Sequence, residues 1–373
     1  MKNTFGNAIT LTLFGESHGQ AIGAVLDGIA PGLEVNLDYI KEKLALRRPS
    51  GTISTARVEG DEFEIVSGVF NGYTTGTPLT LLIKNTNTIS GDYLDFKDLP
   101  RPSHADYTAN CKYHGYQDYR GGGHFSGRLT AAIVGACAIL QYALEKAGII
   151  IGTHICNMQN IKDSDFTDYT QVANMRNRQF PTITEEAEKQ MKELIESVAK
   201  EGDSVGGILE TCVLGVPVGL GEPWFDTLDG MLSHALFSIP AVKAVEFGAG
   251  VTFNYLTGSK ANDQFVTDGK TVFTKGNSNG GINGGISNGM PLIFRCTVKP
   301  TPSIYKEQDT VRLSTMQAEK LQIKGRHDPA IIHRARAVVD AMTAFVIADM
   351  LTVRFGTDTM AEAINSIKNA KKN

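Results

Sequence analysis

Histidine recurs beside glycine, arginine or serine in four separate segments of this chain. Gly15-Glu16-Ser17-His18-Gly19 sets a serine and a histidine between glycines, and Arg101-Pro102-Ser103-His104-Ala105-Asp106-Tyr107 sets a histidine between an arginine and a carboxylate. Gly121-Gly122-Gly123-His124-Phe125-Ser126-Gly127-Arg128 is a basic glycine-rich loop, and Gly325-Arg326-His327-Asp328-Pro329 repeats the theme. Histidine exchanges a proton near neutral pH, and one framed by glycines in a turn can reach a substrate. Arginine forks match carboxylate and phosphate in planar, two-point geometry. Together these residue types suit a small, phosphate-bearing polyanion and chemistry in which a proton is given to a departing phosphate.

Several sharper motifs fail on context. Gly15 to Gly19 matches the Gly-x-Ser-x-Gly elbow of serine hydrolases, but an elbow must open directly into a helix, and Ala21 to Leu26 reads as a strand. Gly122 to Arg128 lacks the Lys-Ser/Thr ending of a nucleotide-phosphate loop, and no Gly-x-Gly-x-x-Gly follows a strand. Histidine and cysteine spacings fit no metal signature, so no metal is expected. The Gly/Asn-rich tract from Gly276 to Gly289 reads, by composition, as a surface loop.

The elements that must hold these loops are legible in the apolar spacing. Ala8 to Phe14, Ala21 to Leu26, Glu62 to Phe70, Leu79 to Ile83, Ile149 to Ile155, Gly207 to Val216, Val251 to Leu256 and Pro291 to Val298 read as strands. Asn36 is a plausible cap for a helix bearing Leu37, Ile40 and Leu44, which must stop near Arg48 because Pro49 follows. Thr184 to Lys200 reads as an exposed helix. Leu129 to Leu144 and Ala330 to Val353 are apolar nearly all round, as buried helices are. Each follows a basic loop, an arrangement that binds anions at helix N-termini, and Asp328 with Pro329 reads as a helix cap and first turn. From Lys84 to Gly123 the spacing shows little periodicity, which marks a long functional loop.

Composition is that of an ordinary globular protein, 42% hydrophobic and 20% charged over 373 residues, with no break between domains, so one domain over residues 1–373 is expected. A formal charge of −4 gives no footprint for nucleic acid. The five cysteines are odd in number and scattered, which points to a reducing, cytoplasmic setting. No leader-like apolar run follows Met1, and no uninterrupted apolar stretch suggests a membrane span.

With those segments assembled, the chain resembles the chorismate synthase family. The matching pieces are Phe14 to Gly19, Arg47-Arg48-Pro49, Ser67 to Phe70 with Thr74 to Pro78, Arg101 to Tyr107, Asp118 to Gly123, Lys299-Pro300-Thr301-Pro302-Ser303 and Gly325 to Pro329. The resemblance implies anti-1,4 elimination of phosphate from 5-enolpyruvylshikimate 3-phosphate to give chorismate, with reduced FMN as cofactor. It implies a compact α+β sandwich of long buried helices between antiparallel sheets, assembled as a homotetramer; the likeness of the two loop-and-helix segments hints at internal duplication. Carried over by position, His18 is the acid for the departing phosphate, His104 assists protonation of reduced flavin, and Asp328 relays the abstracted proton. Ser17, Arg47, Arg128 and Arg334 fall on substrate-binding positions. His124, Phe125, Ser126, Ala241, Gly284, Lys299 to Ser303 and Arg326 fall on segments that cradle FMN.

Two departures stand out. The family pattern Arg-Ser-Ser-Ala-Arg-Glu-Thr reads His124-Phe125-Ser126-Gly127-Arg128-Leu129-Thr130 here, and an arginine tied to nicotinamide binding is replaced by Ile53. The second departure predicts a monofunctional enzyme whose flavin is reduced by an external flavin reductase or other reduced-flavin source.

Overall fold

A computed structural model describes residues 2–49, 53–54, 60–86, 97–166, 168–323, 325 and 327–356, with positions 358, 362, 365–366 and 369 beyond. Its helices are α1 (Leu37–Arg47), α2 (Asp106–Tyr113), α3 (Thr130–Lys146), α4 (Tyr169–Met175), α5 (Glu185–Lys200), α6 (Leu228–Phe237), α7 (Gly258–Ala261) and α8 (Ile332–Phe355). Two five-stranded antiparallel sheets accompany them. The first runs in the order Thr4–Phe5, Thr10–Gly15, Ala21–Asp27, Leu79–Lys84, Phe63–Ser67. The second runs Val242–Phe247, Leu292–Val298, Gly207–Leu214, Ile150–Met158, Ile161–Lys162.

The period-two pattern decides which strand face is covered. Leu292, Phe294, Cys296 and Val298 are buried while the residues between them are half-buried. Helices α3 and α8 are buried nearly all round because each packs on the other and on a sheet. Helix α3 lies on Ala21–Asp27 and Leu79–Lys84 of the first sheet, and α8 on Ile150–Met158 and Gly207–Leu214 of the second. Gly127–Lys146 is long and apolar enough to cross a membrane by length and composition, yet 83% of its most apolar window is buried within the protein. One contiguous apolar cluster joins both sheets and α1, α3, α5, α6 and α8.

Asn36 caps α1 as expected, its side-chain oxygen accepting from the amides of Asp38 (3.1 Å) and Tyr39 (3.0 Å). Helix α5 buries Ala187, Met191 and Ile195, one stripe at four-residue spacing, and leaves its charges in solvent. Three expectations are corrected. Residues 251–256 are not a strand: Gly250–Tyr255 forms a 3-10 turn, and Val242–Phe247 pairs with Leu292–Val298 in that place. Gly248 and Gly250 have φ of +56° and +54°, which turns the chain out of the extended state before residue 251. The stretch from 84 to 123 contains α2 and a glycine-broken 3-10 segment, Arg120–Phe125, although 87–96 lie outside the described residues. Asp328 does not cap α8, which begins at Ile332 without a side-chain cap.

Candidate active site

The turn between Thr10–Gly15 and Ala21–Asp27 presents Ser17 and His18 inward, 4% and 7% exposed. Several bonds fix it. The Ser17 amide donates to the Gly123 carbonyl (3.1 Å), and the Asn85 side-chain amide donates to the carbonyls of Glu16 (2.9 Å) and Gly19 (3.0 Å). His124, where the family pattern has arginine, donates from Nδ1 to the Gly15 carbonyl (2.8 Å), because a carbonyl can only accept. The Ser17 hydroxyl lies 3.2 Å from Nδ1 of His18. A strand follows this turn, so the hydrolase elbow is absent. Gly121 closes the turn from above. Its φ is +59°, and a Cβ there would fall 2.2 Å from Cε1 and Nδ1 of His18.

Three arginines meet beside His18. Arg47, the last residue of α1, donates from Nε to Thr130 Oγ1 (2.9 Å) and from Nη2 to the carbonyls of Gly127 (3.2 Å) and Arg128 (3.4 Å). Its Nη1 donates to Asp61 Oδ2 (3.2 Å), while the other oxygen of Asp61 accepts from Arg128 Nη1. Arg128 also donates from Nε to Asn85 Oδ1 (3.3 Å). Arg334, in the first turn of α8, donates from Nε to the Arg47 carbonyl (2.6 Å) and from Nη1 to Asp328 Oδ2 (2.5 Å). Asp328 stands three residues before the N-cap position, Ile331, and its carboxylate turns to Arg334.

These groups line a cavity of about 250 Å³ with Ser17, His18, Ser126 and Thr130, closed on one side by Ile239, Pro240, Ile331, Ala335 and Val338. Three guanidinium groups against two carboxylates, mostly withdrawn from water, make a pocket of net positive charge suited to a compact polyanion. Among the described residues no group of three or more His, Cys, Asp or Glu could hold a metal ion.

His104 lies in a second cluster. Its Nδ1 is 3.0 Å from the Pro102 carbonyl, so that nitrogen carries the hydrogen, and Nε2 of the neutral ring accepts from the Ser303 hydroxyl at 2.9 Å. Arg101 is locked to Asp106 through Nε and Nη2, both at 2.8 Å. Burial, and then the Arg101 charge, hold the His104 pKa down at about 4. The unfolded chain therefore takes up the proton first as pH falls. Stability contributed by neutral His104 is whole above about pH 6.5 and is lost toward about pH 4. The thermal midpoint is expected to decline across that window. His104→Asn, which retains a donor toward Pro102, is expected to remove about 1–2 kcal/mol of that decline, read from midpoints at pH 7 and pH 4.5.

The remaining residues marked in the sequence are divided in space. Lys299 donates from Nζ to the Ser103 carbonyl (2.8 Å) and from its amide to the Ala241 carbonyl (2.9 Å), which places the His104 cluster next to Ala241 and so to Pro240 of the cavity wall. Ser204 donates to the Thr301 carbonyl (2.6 Å), and the Thr301 hydroxyl is buried without a partner. Pro300 and Pro302 complete this segment. Phe125 is 42% exposed and meets Tyr113 edge-on. Gly284 sits at the exposed turn of the hairpin Ile282–Asn283/Ile286–Ser287, away from the cavity. Arg326 lies outside the described residues. Asp61 and Asn85 were not singled out in the sequence, and Thr130 was named only as the last residue of the family pattern that begins at His124.

Two antiparallel sheets with buried helices packed on them, and a basic cavity with a histidine and a carboxylate, frame an enzyme for a small polyanion. The model of the chorismate synthase family matches residues 9–352. Chorismate synthases of Thermococcus gammatolerans and Pyrococcus abyssi are 46% and 47% identical over 349 and 350 residues, each alignment covering 94% of this chain and 97% of the relative. A crystal structure of a chorismate synthase superposes with a TM-score of 0.77 at 28% identity, covering 99% of this chain and 100% of the other. The chain belongs to the chorismate synthase family, lyases of the shikimate pathway and of aromatic amino-acid biosynthesis.

Proposed function

We propose that this chain eliminates phosphate from 5-enolpyruvylshikimate 3-phosphate by an anti-1,4 route to give chorismate, with reduced FMN as cofactor. The observation that carries the reading is the single cavity in which Ser17, His18, Arg47, Arg128, Arg334 and Asp328 converge. The arginines hold the substrate's phosphate and carboxylates in fixed orientation, which supplies proximity and electrostatic stabilisation as charge moves to the leaving group. His18, braced by Ser17 and Gly121, holds the proton that the departing phosphate takes. Asp328, oriented by Arg334, holds the proton abstracted from the ring carbon.

The residues present fit a flavin. The Thr301 hydroxyl is buried without a partner, Lys299 is a nearby cation, and a Cβ at Gly127 would meet nothing within 4 Å. Ser126, Phe125, Ala241 and Lys299 to Ser303 would hold FMN, with neutral His104 acting through Ser303 as a proton relay. When bound, reduced FMN supplies electron density as phosphate leaves. His124 braces the His18 turn, so the missing arginine of the family pattern is offset at the turn and not at an anion.

Ile53 is buried in the apolar core, 6% exposed, and offers no charge to a nicotinamide phosphate. The reduced flavin therefore comes from an external reductase or other source, in a cytoplasmic setting consistent with five free cysteines. We infer one catalytic domain. Its sandwich is a duplicated unit, since each five-stranded antiparallel sheet carries one long buried helix on its covered face. A homotetramer is supported by exposed apolar side chains. Trp224, Phe225, Val251, Tyr255 and Phe265 are each more than 70% exposed, and light scattering measures the mass.

The direct test is anaerobic. Protein, 5-enolpyruvylshikimate 3-phosphate and chemically reduced FMN are expected to yield phosphate and chorismate in equal amounts, with none from oxidised FMN. No product from folded, flavin-binding protein sinks the reaction. With oxidised FMN and NADPH, nicotinamide oxidation is expected to match the no-enzyme rate, and oxidation well above it refutes monofunctionality.

A further inference from the structure

Asp61 is a fully buried carboxylate that none of the assigned roles uses. Its side chain is 0% exposed, yet it touches two residues of the cavity wall. One oxygen accepts from Arg47 Nη1 at 3.2 Å and the other from Arg128 Nη1. Asp61 itself does not line the cavity. It stands behind the two arginines, in a left-handed backbone conformation (φ +46°).

We propose that Asp61 is a positioning residue for substrate binding: its carboxylate clamps Arg47 and Arg128 side by side so that both guanidinium groups address the same anionic group of the substrate. The proposal rests on the reaction assigned above. Two like charges at close range in a poorly solvated site repel strongly, and a shared counter-ion cancels that repulsion while fixing geometry. Arg47 is also held through Nε and Nη2 by Thr130 and two backbone carbonyls, and Arg128 through Nε by Asn85 at 3.3 Å. A clamp makes an opposite prediction to bare charge. Removing a negative charge beside an anion pocket should tighten anion binding if electrostatics alone governed, and should weaken it if geometry does.

The test compares Asp61→Asn and Asp61→Glu with the parent enzyme in the anaerobic assay, alongside inhibition by inorganic phosphate. Asp61→Asn is expected to raise KM for the substrate at least 10-fold and the phosphate inhibition constant in parallel, with kcat within about threefold. Asp61→Glu keeps the charge but shifts the carboxylate by one methylene, and is expected to raise KM by a smaller factor, at least threefold. Tighter phosphate binding in Asp61→Asn overturns the clamp, as does a fall in kcat at unchanged KM. If Asp61→Asn does not fold, an unaltered KM in Asp61→Glu overturns it alone. Should the parent enzyme make no chorismate, the assigned reaction fails, and phosphate affinities by calorimetry still decide the clamp.

Discussion

Asp328→Asn is expected to lower kcat on the order of 100-fold or more while KM for the substrate and affinity for FMN stay within about threefold. The asymmetry follows from what the substitution keeps. Asparagine retains an oxygen that accepts from Arg334 Nη1, so the arginine remains directed by α8 and by the Arg47 carbonyl, 2.6 Å from its Nε. What is lost is a group able to take a proton. Single-turnover measurements, in which binding and chemistry separate, give the cleanest reading. An unchanged rate of the chemical step removes Asp328 from proton transfer.

Gly121→Ala is expected to be nearly as damaging, although residue 121 carries no reactive group. Its Cβ would overlap the His18 ring at 2.2 Å and approach Ser17 Oγ to 2.9 Å, so the ring must leave its present position. The left-handed backbone adds a strain of about 1–2 kcal/mol. A useful control is Gly72→Ala, at φ +82° with nothing within 4 Å of the added carbon. It bears the same kind of strain in a remote turn. Both variants are expected to lose thermal stability, Gly121→Ala the more because of its overlap with His18, and only Gly121→Ala to lose turnover, on the order of 100-fold. Equal activity in the two would mean that His18 tolerates displacement and is not the proton donor.

Much of this was readable before any coordinates, for identifiable reasons. Helices α3 and α8 declared themselves because a run apolar nearly all round has few outcomes in a chain with polar loops on either side. The cap of α1 was readable because Asn36 acts on amides only two and three residues away. Local signals failed where long-range pairing decided. Val251 to Leu256 has the look of a strand, but the adjoining edge of Leu292–Val298 is taken by Val242–Phe247, and two left-handed glycines redirect the chain. Asp328 followed by proline looks like a helix cap, but α8 begins only at Ile332 and the Asp328 carboxylate pairs with Arg334. Asp61 could not be found at all, since its partners lie 14 and 67 positions away. The histidines and arginines of the site were legible because their loops are dense in them. Their supports, Asn85 and Asp61, were not, because a residue that acts through another leaves no composition of its own.

The cavity draws its wall from residues 17–18, 47, 121–130, 239–240 and 328–338, so its two ends meet only when α8 docks against α1 and α3. A ribosome must therefore release nearly the whole chain before any substrate pocket exists. Contacts spanning such sequence separations close late and slowly. Substrate cannot template the early stages of folding; it meets only the finished molecule, and a chain stopped short of residue 328 is blind to it.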